Sequence, residues 1–401
     1  MRAGAIQITL CRFSPFLGAL MKHCLWILLG ISMMSAADDT PVAIALHGGA
    51  GTIERSAMSE ELEATYRAFL DDAIARGYEQ LREGRSGLDV VVNVIQLMEE
   101  SPLFNAGRGA VYTWEGTHEL DASIMHGETL DAGAVAGVST VRSPIALARA
   151  VLEDSPHVML AGAGAEAFAL KQGFVPVSPE YFATERRREA LEAYKANEQA
   201  GLKPEADHKF GTVGVVVLDQ AGNLVAGTST GGMTGKRWGR IGDSPVIGAG
   251  TYADNRSCAV SATGHGEYFI RHTVARDICA RMQFGGATLE EAASTVVMEE
   301  LVKADGEGGV VAVDPAGRVA LVFNTPGMYR ASIDAAGHKV VGIYGEDEAP
   351  DSSRDVSHYV PYDQSCSAES RRIMTAQITH LPADAPQENY SLHGRGRGRH
   401  H

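Results

Sequence analysis

Two segments of the chain share one pattern, in which an apolar strand is followed by a short turn and a second apolar strand. One is VGVVVLDQAGNLVAGTST, from Val213, with Gly222 and Asn223 at its turn. The other is VVAVDPAGRVALVFNT, from Val310, with Gly317 at its turn. Strands that are apolar along nearly their whole length must be covered on both faces. The pattern therefore predicts a layered fold in which sheets are enclosed by other layers.

Segments with helical periodicity lie before and between these hairpins. Apolar residues recur at helical spacing after residue 61. The other predicted helices begin at or just after capping residues or charged residues: Ser86, Ser143, Glu267 and Thr288. The stretches PVAIALHGGAG and ELDASIM read as further strands. Helices around groups of strands indicate a layered sandwich with the helices outside.

Composition restricts the classes of function. A chain of 401 residues can form one large or two ordinary domains. Its formal net charge of −15 argues against nucleic acid as a partner. Glycines cluster in runs such as HGGAGT, NAGRGA and STGGMTG, which indicates tight turns around a site.

The first 37 residues resemble an export signal. Lys22 precedes an apolar run at 25–34, and small residues follow as far as Ala37, where cleavage is expected. Met21 is a more natural start than the first residue, so residues 1–20 are interpreted as an upstream extension. The alternative is a single membrane anchor, although the run is short for one. A periplasmic or secreted protein, free of the membrane after processing, is expected.

The cysteine pattern suggests no cross-links. Three cysteines follow the signal, at Cys258, Cys279 and Cys366, and none forms a CxxC motif. This odd number predicts buried free thiols rather than a disulfide framework or a zinc site. The fourteen histidines show no HExxH spacing, so no catalytic transition metal is expected.

Two segments differ in character from the rest. Residues 179–211 include ERRREALEAYKANEQAGLKPEADHK, which is charged and lacks a continuous apolar stripe. They are interpreted as a mobile linker, either helical or disordered. Residues 347–401 have no sustained period and read as a poorly ordered tail.

The joint at Gly211-Thr212 separates this linker from the strand at Val213. A threonine hydroxyl is a weak nucleophile, but the α-amine of a new N-terminal threonine can act as its base. That amine has a pKa of roughly 7.7–8.0, which suits a base near neutral pH. Glycine tolerates the strained backbone that would favour cutting the bond before the threonine. The alternative is that Thr212 is merely a β-branched strand residue.

A resemblance favours the catalytic interpretation. Five segments between about residues 40 and 345 are similar to the plant-type asparaginase / isoaspartyl peptidase family of N-terminal nucleophile hydrolases. They are LHGGAGT, SPLFNAGRGAVYTWEGTHELDASIM, GTVG, STGGMTGKRWGRIGDSPVIGAGTYADN and SATGHGEYFIRH. The resemblance implies an α+β fold, a four-layer αββα sandwich. It implies cleavage between Gly211 and Thr212 into an α subunit (38–211) and a β subunit (212–346). These subunits would stay together, as a dimer of heterodimers.

The same resemblance assigns catalytic roles. Thr212 would be the nucleophile, and Thr230 would orient it. Thr263 and Gly264 would stabilise the oxyanion through a hydroxyl and a backbone N–H. Asn105 would lie near the site and belong with the residues that bind the substrate.

Substrate recognition falls on the matching residues of GRIGDSP and TGHGE. Arg240 would bind the α-carboxylate of an aspartyl group, and Asp243 its α-amine. Gly266 would allow the backbone to approach the substrate. The alternative for Arg240 and Asp243 is a surface ion pair. The substrates implied are β-aspartyl dipeptides and L-asparagine, hydrolysed through a β-aspartyl-threonine ester.

LMEESPLFNAGRG resembles the sodium-binding loop of the family, in which backbone carbonyls hold a structural ion. The alternative is an ordinary turn stiffened by proline. No cofactor is expected for catalysis itself. The matching positions are Met98, Glu99, Ser101, Phe104, Ala106 and Arg108.

Two residues depart from the family pattern, and other functions stay open. His265 replaces a smaller residue, and bulky Trp238 lies two residues before Arg240, so the preferred leaving group is open. The alternative enzyme is a glycosylasparaginase. An amino-acid-binding protein would use Arg240 and Asp243 without the Gly-Thr joint. A nucleotide-binding protein built on HGGAGT has weak support, because no GKS/T follows.

Overall fold

The computed structural model describes residues 40–202 and 211–345. The predicted export signal and the predicted tail lie outside these residues. Within the described ranges, no helix is both long enough and apolar enough to cross a bilayer.

Twelve strands of the described chain form two sheets. The large sheet has the order β12-β11-β1-β5-β6-β2-β3-β4, and only its β3–β4 pair is parallel. The small sheet has the order β10-β9-β8-β7. The strands of the large sheet are β1 (Ala43–Gly51), β2 (Leu120–His126), β3 (Ala132–Val138), β4 (Met159–Ala161), β5 (Val213–Leu218), β6 (Leu224–Thr230), β11 (Gly327–Ile333) and β12 (Lys339–Tyr344). Those of the small sheet are β7 (Thr251–Ala253), β8 (Ala259–Gly264), β9 (Gly308–Val313) and β10 (Val319–Phe323).

Residues from the two sides of the Gly211-Thr212 joint interleave in the large sheet. Strand β1 lies between β5 and β11, both of which follow the joint. Strands β2, β3 and β4, which precede it, continue the sheet beyond β6. The sheet is therefore built from both halves of the chain in alternation.

Strand β5 shows how the layers are made. Val213, Val215 and Val217 pack into one apolar core with the helices that flank the large sheet. Val216 and Leu218 point the other way, into the core shared with the small sheet. Both faces of the strand are buried, which confirms the prediction from its continuous apolar sequence.

Four helices of the described chain precede residue 179, and all four pack into the apolar core on the outer face of the large sheet. The predicted starts at Ser86 and Ser143 are confirmed, because each side chain accepts a backbone N–H three residues on. Pro144 occupies the first position of its helix, where no N–H is needed. The helices are α1 (Glu60–Arg82), α2 (Gly87–Glu99), α3 (Pro144–Asp154) and α4 (Gly162–Lys171); a short 3₁₀ turn at Arg55–Ala57 precedes α1.

The charged linker is helical over much of its length. A 3₁₀ turn at Pro179–Tyr181 leads into α5 (Glu185–Gln199). Phe182 and Leu191 are buried, and the buried Arg187 donates from Nε to the Gly109 carbonyl. Of the two interpretations, the helical one fits, and the segment packs more than its composition suggested. Residues 203–210 lie outside the described part of the chain.

The outer face of the small sheet carries the remaining helices, α6 (Gly266–His272), α7 (Val274–Gly285), α8 (Leu289–Ser294) and α9 (Leu301–Lys303), with a π-helical turn at Thr295–Glu300. The single helix predicted at about 267–282 is divided at Thr273, whose φ of 47° is left-handed. The capping box from Thr288 to Glu291 is confirmed. The four layers are helices, sheet, sheet and helices, as predicted.

The expectation of free thiols was wrong for two cysteines. Cys258, just before β8, is joined to Cys279 on α7 by a disulfide, with Cα atoms 5.3 Å apart. The bond connects the small sheet to its outer helices. The spacing of the cysteines in the sequence does not predict this bond, because the two partners lie 21 residues apart and are brought together by the fold. Cys366 lies outside the described residues.

Candidate active site

Thr212 lies immediately before β5, next to the end of β6. Its hydroxyl donates to Thr230 Oγ1 at 3.0 Å, and both side chains are buried. Thr230 Oγ1 also accepts the Gly232 N–H at 3.0 Å. The antiparallel β5–β6 pairing continues to this end of the sheet, so the two threonines face each other. The structure thus brings together the predicted nucleophile and the residue predicted to orient it.

Asn105 connects the two sides of this site. Its backbone N–H donates to the Gly211 carbonyl at 2.9 Å, and its Nδ2 donates to the Gly232 carbonyl at 2.7 Å. Its Oδ1 accepts the Val111 N–H at 2.8 Å. A Cβ on Gly211 would lie 2.6 Å from the Asn105 Cβ, so only glycine fits there. The joint therefore needs glycine for close packing as well as for conformational freedom.

A buried histidine holds the backbone of Thr212 from the other side. His47 Nδ1 lies 3.1 Å from the Thr212 carbonyl, and Nε2 lies 3.0 Å from Ser261 Oγ. Burial lowers the pKa of His47 to about 3, so the ring is neutral at physiological pH. A carbonyl can only accept, so Nδ1 carries the proton and Nε2 accepts from the Ser261 hydroxyl.

The hydrogen bonds continue from Ser261 through hydroxyl groups between the sheets. Ser261 Oγ lies 2.7 Å from Thr228 Oγ1, and Thr251 donates to Thr228 at 2.6 Å. Ser123 donates its hydroxyl proton to the Ser244 carbonyl at 2.6 Å, and its Oγ lies 2.8 Å from Thr251 Oγ1. This network joins the start of β5 to the segment that carries Asp243.

Thr263 lies at the end of the small sheet that faces the nucleophile. Strand β8 runs alongside β1, since Ser261 contacts His47 and Thr263 Oγ1 accepts the Ala50 N–H at 3.3 Å. Because β1 and β5 are antiparallel, the end of β1 near Ala50 is the end of β5 that carries Thr212. Gly264 follows with φ of 158°, packed against Glu307 and Gly308, where a Cβ would lie 2.4 Å from the Glu307 carbonyl.

The three predicted substrate-binding residues form one cluster. A Cβ on Gly266 would lie 2.8 Å from Arg240 Nη2 and 2.9 Å from Asp243 Oδ1. Arg240 also approaches Gly232, where a Cβ would lie 3.5 Å from Nη1. Gly232 in turn donates to Thr230, so this cluster adjoins the nucleophile. Asp243 is buried, and the ion-pair partner of Arg240 is Glu267 rather than Asp243.

Arg240 has a carboxylate partner in the absence of substrate. Its Nε and Nη2 donate to the two carboxylate oxygens of Glu267 at 2.9 and 3.0 Å. A bidentate Arg–carboxylate pair is the arrangement that an incoming α-carboxylate would have to share or replace. Glu267 was not singled out from the sequence, although it lies directly after Gly266.

Asp243 is buried and incompletely satisfied. Its Oδ2 has no hydrogen-bond partner among the described residues. Burial raises the pKa of Asp243 to about 7, although the Arg240 charge lowers it in part. A substrate ammonium group would supply both the missing hydrogen bond and the missing counter-charge.

The loop predicted to hold sodium is closed by hydrogen bonds between its own backbone groups. Met98 and Glu99 carbonyls accept N–H groups within the loop. Within the described chain, no hydrogen bond reaches the carbonyls of the other four predicted ligands, which are Ser101, Phe104, Ala106 and Arg108. Unpaired carbonyl oxygens in one short loop suit a hard monovalent cation. No group of three or more His, Cys, Asp or Glu side chains in this part of the chain could hold a metal ion.

The Glu99 side chain forms hydrogen bonds with groups outside the loop. It accepts hydrogen bonds from Ser143 and Ser229 hydroxyls at 2.6 and 2.7 Å and from the Ile145 N–H at 3.0 Å. Burial raises the pKa of Glu99 to about 7. Its carboxylate thus connects the loop to β6 rather than serving as an ion ligand.

The two departures from the family pattern lie at the entrance to the Arg240 cluster. His265 precedes α6, and its Nε2 lies 3.6 Å from Glu267 Oε2. Trp238 is 93% exposed with a left-handed φ of 56°.

Sequence reasoning missed the buried polar network. His47, Ser261 and Thr228 received no role, although all three are fully buried. A signal was present, because Ser261 and Thr263 alternate in β8 and Thr228 and Thr230 hold alternate positions at the end of β6, in strands that are mostly apolar. Alternate positions share one face of a strand, so these hydroxyls had to meet between the sheets.

A threonine at the start of a central strand, in a four-layer αββα sandwich and beside a second hydroxyl, is an arrangement that fits the N-terminal nucleophile hydrolases. Residues 40–343 match the model of a family described as asparaginase. The chain belongs to this family and is an amidohydrolase, as predicted.

Similar proteins carry consistent names. An isoaspartyl peptidase of Salmonella typhimurium is 53% identical over 308 residues, which is 76% of this chain and 98% of that protein. An isoaspartyl peptidase of Escherichia coli is also 53% identical, over 76% of this chain and 96% of its own length. A probable isoaspartyl peptidase/L-asparaginase of Arabidopsis thaliana is 42% identical, over 75% of this chain and 98% of that protein.

Proposed function

We propose that this chain hydrolyses β-aspartyl dipeptides and L-asparagine after cutting itself between Gly211 and Thr212. The observation that carries this proposal is the position of the Thr212 hydroxyl, 3.0 Å from Thr230 and adjoining the cluster of Arg240, Asp243 and Gly266. The names of similar proteins support the same substrates.

The first reaction is the cut that creates the nucleophile. Thr212 Oγ1 attacks the Gly211 carbonyl, and the C–N bond breaks as an ester forms between the two residues. Water then opens this ester, leaving a Gly211 carboxylate and a free Thr212 amine. The Asn105 N–H that donates to the Gly211 carbonyl is placed to stabilise charge on that oxygen during the attack.

The second reaction uses the new amine as a base. It takes the Thr212 hydroxyl proton while Oγ1 attacks the side-chain amide carbonyl of the aspartyl group. Thr263 and Gly264 stabilise the oxyanion, and the leaving amine departs protonated. Water hydrolyses the β-aspartyl ester and releases aspartate. No cofactor takes part in these steps.

The Arg240 cluster explains why the acyl group should be aspartyl. Arg240 offers two parallel N–H donors for an α-carboxylate, and Asp243 offers a buried carboxylate for an α-ammonium. Gly266 leaves room between them. A small zwitterion with a β-carbonyl directed at Thr212 satisfies all three.

Substrate comparison separates this proposal from its alternatives. Purified mature protein is analysed on an SDS gel, its fragments are sequenced from their N-termini, and β-Asp-Leu, asparagine and an N-glycosylated asparagine are tested together. We expect two fragments, one starting at Thr212, with activity on the first two substrates. Activity confined to the glycosylated substrate would identify a glycosylasparaginase, and a single inactive chain would indicate a binding protein.

We also propose that the loop 98–108 binds a structural sodium ion through backbone carbonyls. The free carbonyls of Ser101, Phe104, Ala106 and Arg108 support this. The ion would hold the loop that positions Asn105. Its test is a melting temperature measured in sodium chloride and in N-methylglucamine chloride at equal ionic strength. An equal melting temperature in both salts would contradict the proposal.

Export and assembly complete the proposal. A periplasmic or secreted location is supported by the disulfide between Cys258 and Cys279, since such bonds persist in oxidising compartments. Cell fractionation, with N-terminal sequencing for processing near Ala37, tests it. Assembly as a dimer of heterodimers is tested by light scattering on the purified protein; a mass of one cleaved chain would contradict it.

A further inference from the structure

Two buried charged residues next to the nucleophile have no role in the reaction described above. Asp121, on β2, pairs directly with Thr230 across the β2–β6 ladder. Lys236 follows the turn after β6, and its side chain is 1% exposed. Burying a charge is costly unless the charge is used, so this pair calls for an explanation.

Three side chains form a row across neighbouring strands. Thr212 faces Thr230, and Thr230 faces Asp121, so all three point to the same side of the large sheet. Residues directly opposite in a ladder have Cβ atoms about 4.5–5.5 Å apart. The Asp121 carboxylate is therefore the neighbour of Thr230 on the side away from the nucleophile.

The hydrogen bonds of this row are incomplete at one point. Thr230 Oγ1 accepts from the Thr212 hydroxyl and the Gly232 N–H, and within the described residues it donates to no acceptor. Asp121 Oδ1 accepts the Gly137 N–H, whereas its buried Oδ2 has no partner among the described residues. An unused donor thus adjoins an unused acceptor. A rotation of either side chain, or one buried water, would join them.

Lys236 is fixed against the same turn. Its Nζ donates to the Glu119 carbonyl at 2.8 Å, and a Cβ on Gly232 would lie 3.2 Å from Nζ. Its backbone is held as well, because Trp114 donates its N–H to the Lys236 carbonyl. The ammonium group therefore stays beside Gly232, one hydrogen bond from Thr230.

We propose that Asp121 and Lys236 are a positioning pair for the nucleophile: Asp121 accepts the Thr230 hydroxyl proton and so directs the Thr230 lone pair at Thr212, and Lys236 is the counter-charge of Asp121. A threonine hydroxyl has one proton to donate. Directing it to Asp121 fixes which face of the Thr230 oxygen accepts from Thr212. The inference deepens the proposed function and rests on it.

Charges around Asp121 give the pair a pH signature. Burial raises the pKa of Asp121, Lys236 and Arg240 lower it, and Glu119 raises it. The ladder neighbours β3 and β6 offer Asp121 a backbone N–H and hydroxyl groups. The ionisable groups of the other packed elements have partners of their own. Arg149 of α3 pairs with Asp89 and Glu153, and Tyr252 of β7 donates to Asp254. Removing Lys236 should therefore raise the pKa of Asp121.

The test measures kcat against pH for β-Asp-Leu in the wild type and in D121A, D121N, K236M and D121N/K236M. We expect D121A to lower kcat by 10- to 100-fold with little change in KM. D121N keeps an acceptor oxygen and should restore much of the loss. K236M should move the acidic limb of the profile up by about one pH unit, and the same change in the D121N background should not move it. D314N is the matched control, because Asp314 is a buried turn residue of the β9–β10 hairpin; its kcat and pH profile should match the wild type.

The outcomes separate this inference from the proposed function. Wild-type protein that lacks a Thr212 terminus or leaves β-Asp-Leu intact would contradict the function itself. An active wild type whose D121A variant keeps its kcat, or an equal shift caused by K236M in both backgrounds, would overturn the inference alone. If a variant is cut too slowly to yield mature protein, the rate of self-cleavage on an SDS gel against pH replaces kcat, since the same hydroxyl acts in both reactions. The same ordering of variants is then expected.

Discussion

At the scale of single residues, the site is assembled around groups that the free protein leaves only partly satisfied. Among the described residues Asp243 Oδ2 has no hydrogen-bond partner, and Arg240 is paired with the carboxylate of Glu267. Thr212, by contrast, is held on both sides, through its hydroxyl by Thr230 and through its carbonyl by His47. The proposed nucleophile is therefore held in place by its neighbours, whereas the groups proposed to bind the substrate are less fully satisfied.

Replacing Thr212 with alanine should stop both reactions. One hydroxyl opens the Gly211-Thr212 bond and attacks the substrate, so T212A should remain one uncut chain without hydrolysis of β-Asp-Leu. T129A, in an exposed turn of the β2–β3 hairpin, is the control and should be cut normally. An SDS gel with N-terminal sequencing measures the cut. A wild-type fragment that begins anywhere other than Thr212 would exclude the assignment.

Replacing Arg240 with lysine should lower kcat/KM strongly and leave self-cleavage largely intact. Lysine keeps the charge but loses the two parallel donors. R271K, on the exposed end of α6, is the matched control and should retain wild-type kinetics. N-acetyl-β-Asp-Leu gives an independent measurement on the wild type, since acetylation would leave Asp243 without its ammonium partner. Equal hydrolysis of the acetylated and free dipeptides would rule out the proposed substrate class.

Replacing Asp243 with asparagine should stabilise the unliganded protein while removing activity. Burial raises the pKa of Asp243 from 3.8 to about 7, so its contribution to stability is fully present below pH 3.8 and is lost as pH rises to about 7. D243N lacks this penalty, which amounts to at most about 4 kcal/mol at neutral pH. Thermal melts at pH 5 and pH 8 should show a gain over wild type that grows with pH. A constant difference between the two pH values would contradict the assignment.

At the scale of elements, local signals predicted most helices and hairpins. Caps at Ser86, Ser143 and Thr288 marked helix starts, because capping is a contact between near neighbours in sequence. The break at Thr273 was missed, since its left-handed backbone carries no glycine or proline signal. The catalytic residues were identified through the family resemblance rather than from spacing. The hydroxyl network and the disulfide were not predicted from the sequence, because both join segments that are distant in sequence.

The disulfide gives a prediction for the small sheet and its helices. Replacing Cys258 and Cys279 with alanine together should lower the free energy of unfolding by about 3 kcal/mol, the scale expected for a loop of about 20 residues. Both cysteines are buried away from Thr212, in the core between β8 and α7, so kcat should change little. Urea unfolding of the double variant, with the oxidised and reduced wild type as controls, measures the difference. Equal stability of the oxidised and reduced wild type would contradict a stabilising cross-link.

At the scale of the whole molecule, the interleaved sheet predicts that the proposed cut between Gly211 and Thr212 does not divide the protein. Strand β1 stays hydrogen-bonded between β5 and β11, and β2 stays bonded to β6, whether or not Gly211 and Thr212 are joined. Gel filtration of the cut protein should give one peak that contains both fragments, which separate only in denaturant. The uncut T212A chain is the control and should elute at the same volume. Two peaks under native conditions would contradict this.

The same interleaving makes the molecule a natural candidate for split-protein complementation. A fragment ending at Gly211 lacks the strands on both sides of β1, and a fragment starting at Thr212 lacks the strand that joins β5 to β11. Neither piece can bury its own apolar strands alone. Expressed from separate genes, each fragment would depend on the other to fold. In the second fragment, Thr212 would directly follow the initiator methionine. Activity of the combined fragments would then show whether an N-terminal threonine can be supplied without self-cleavage.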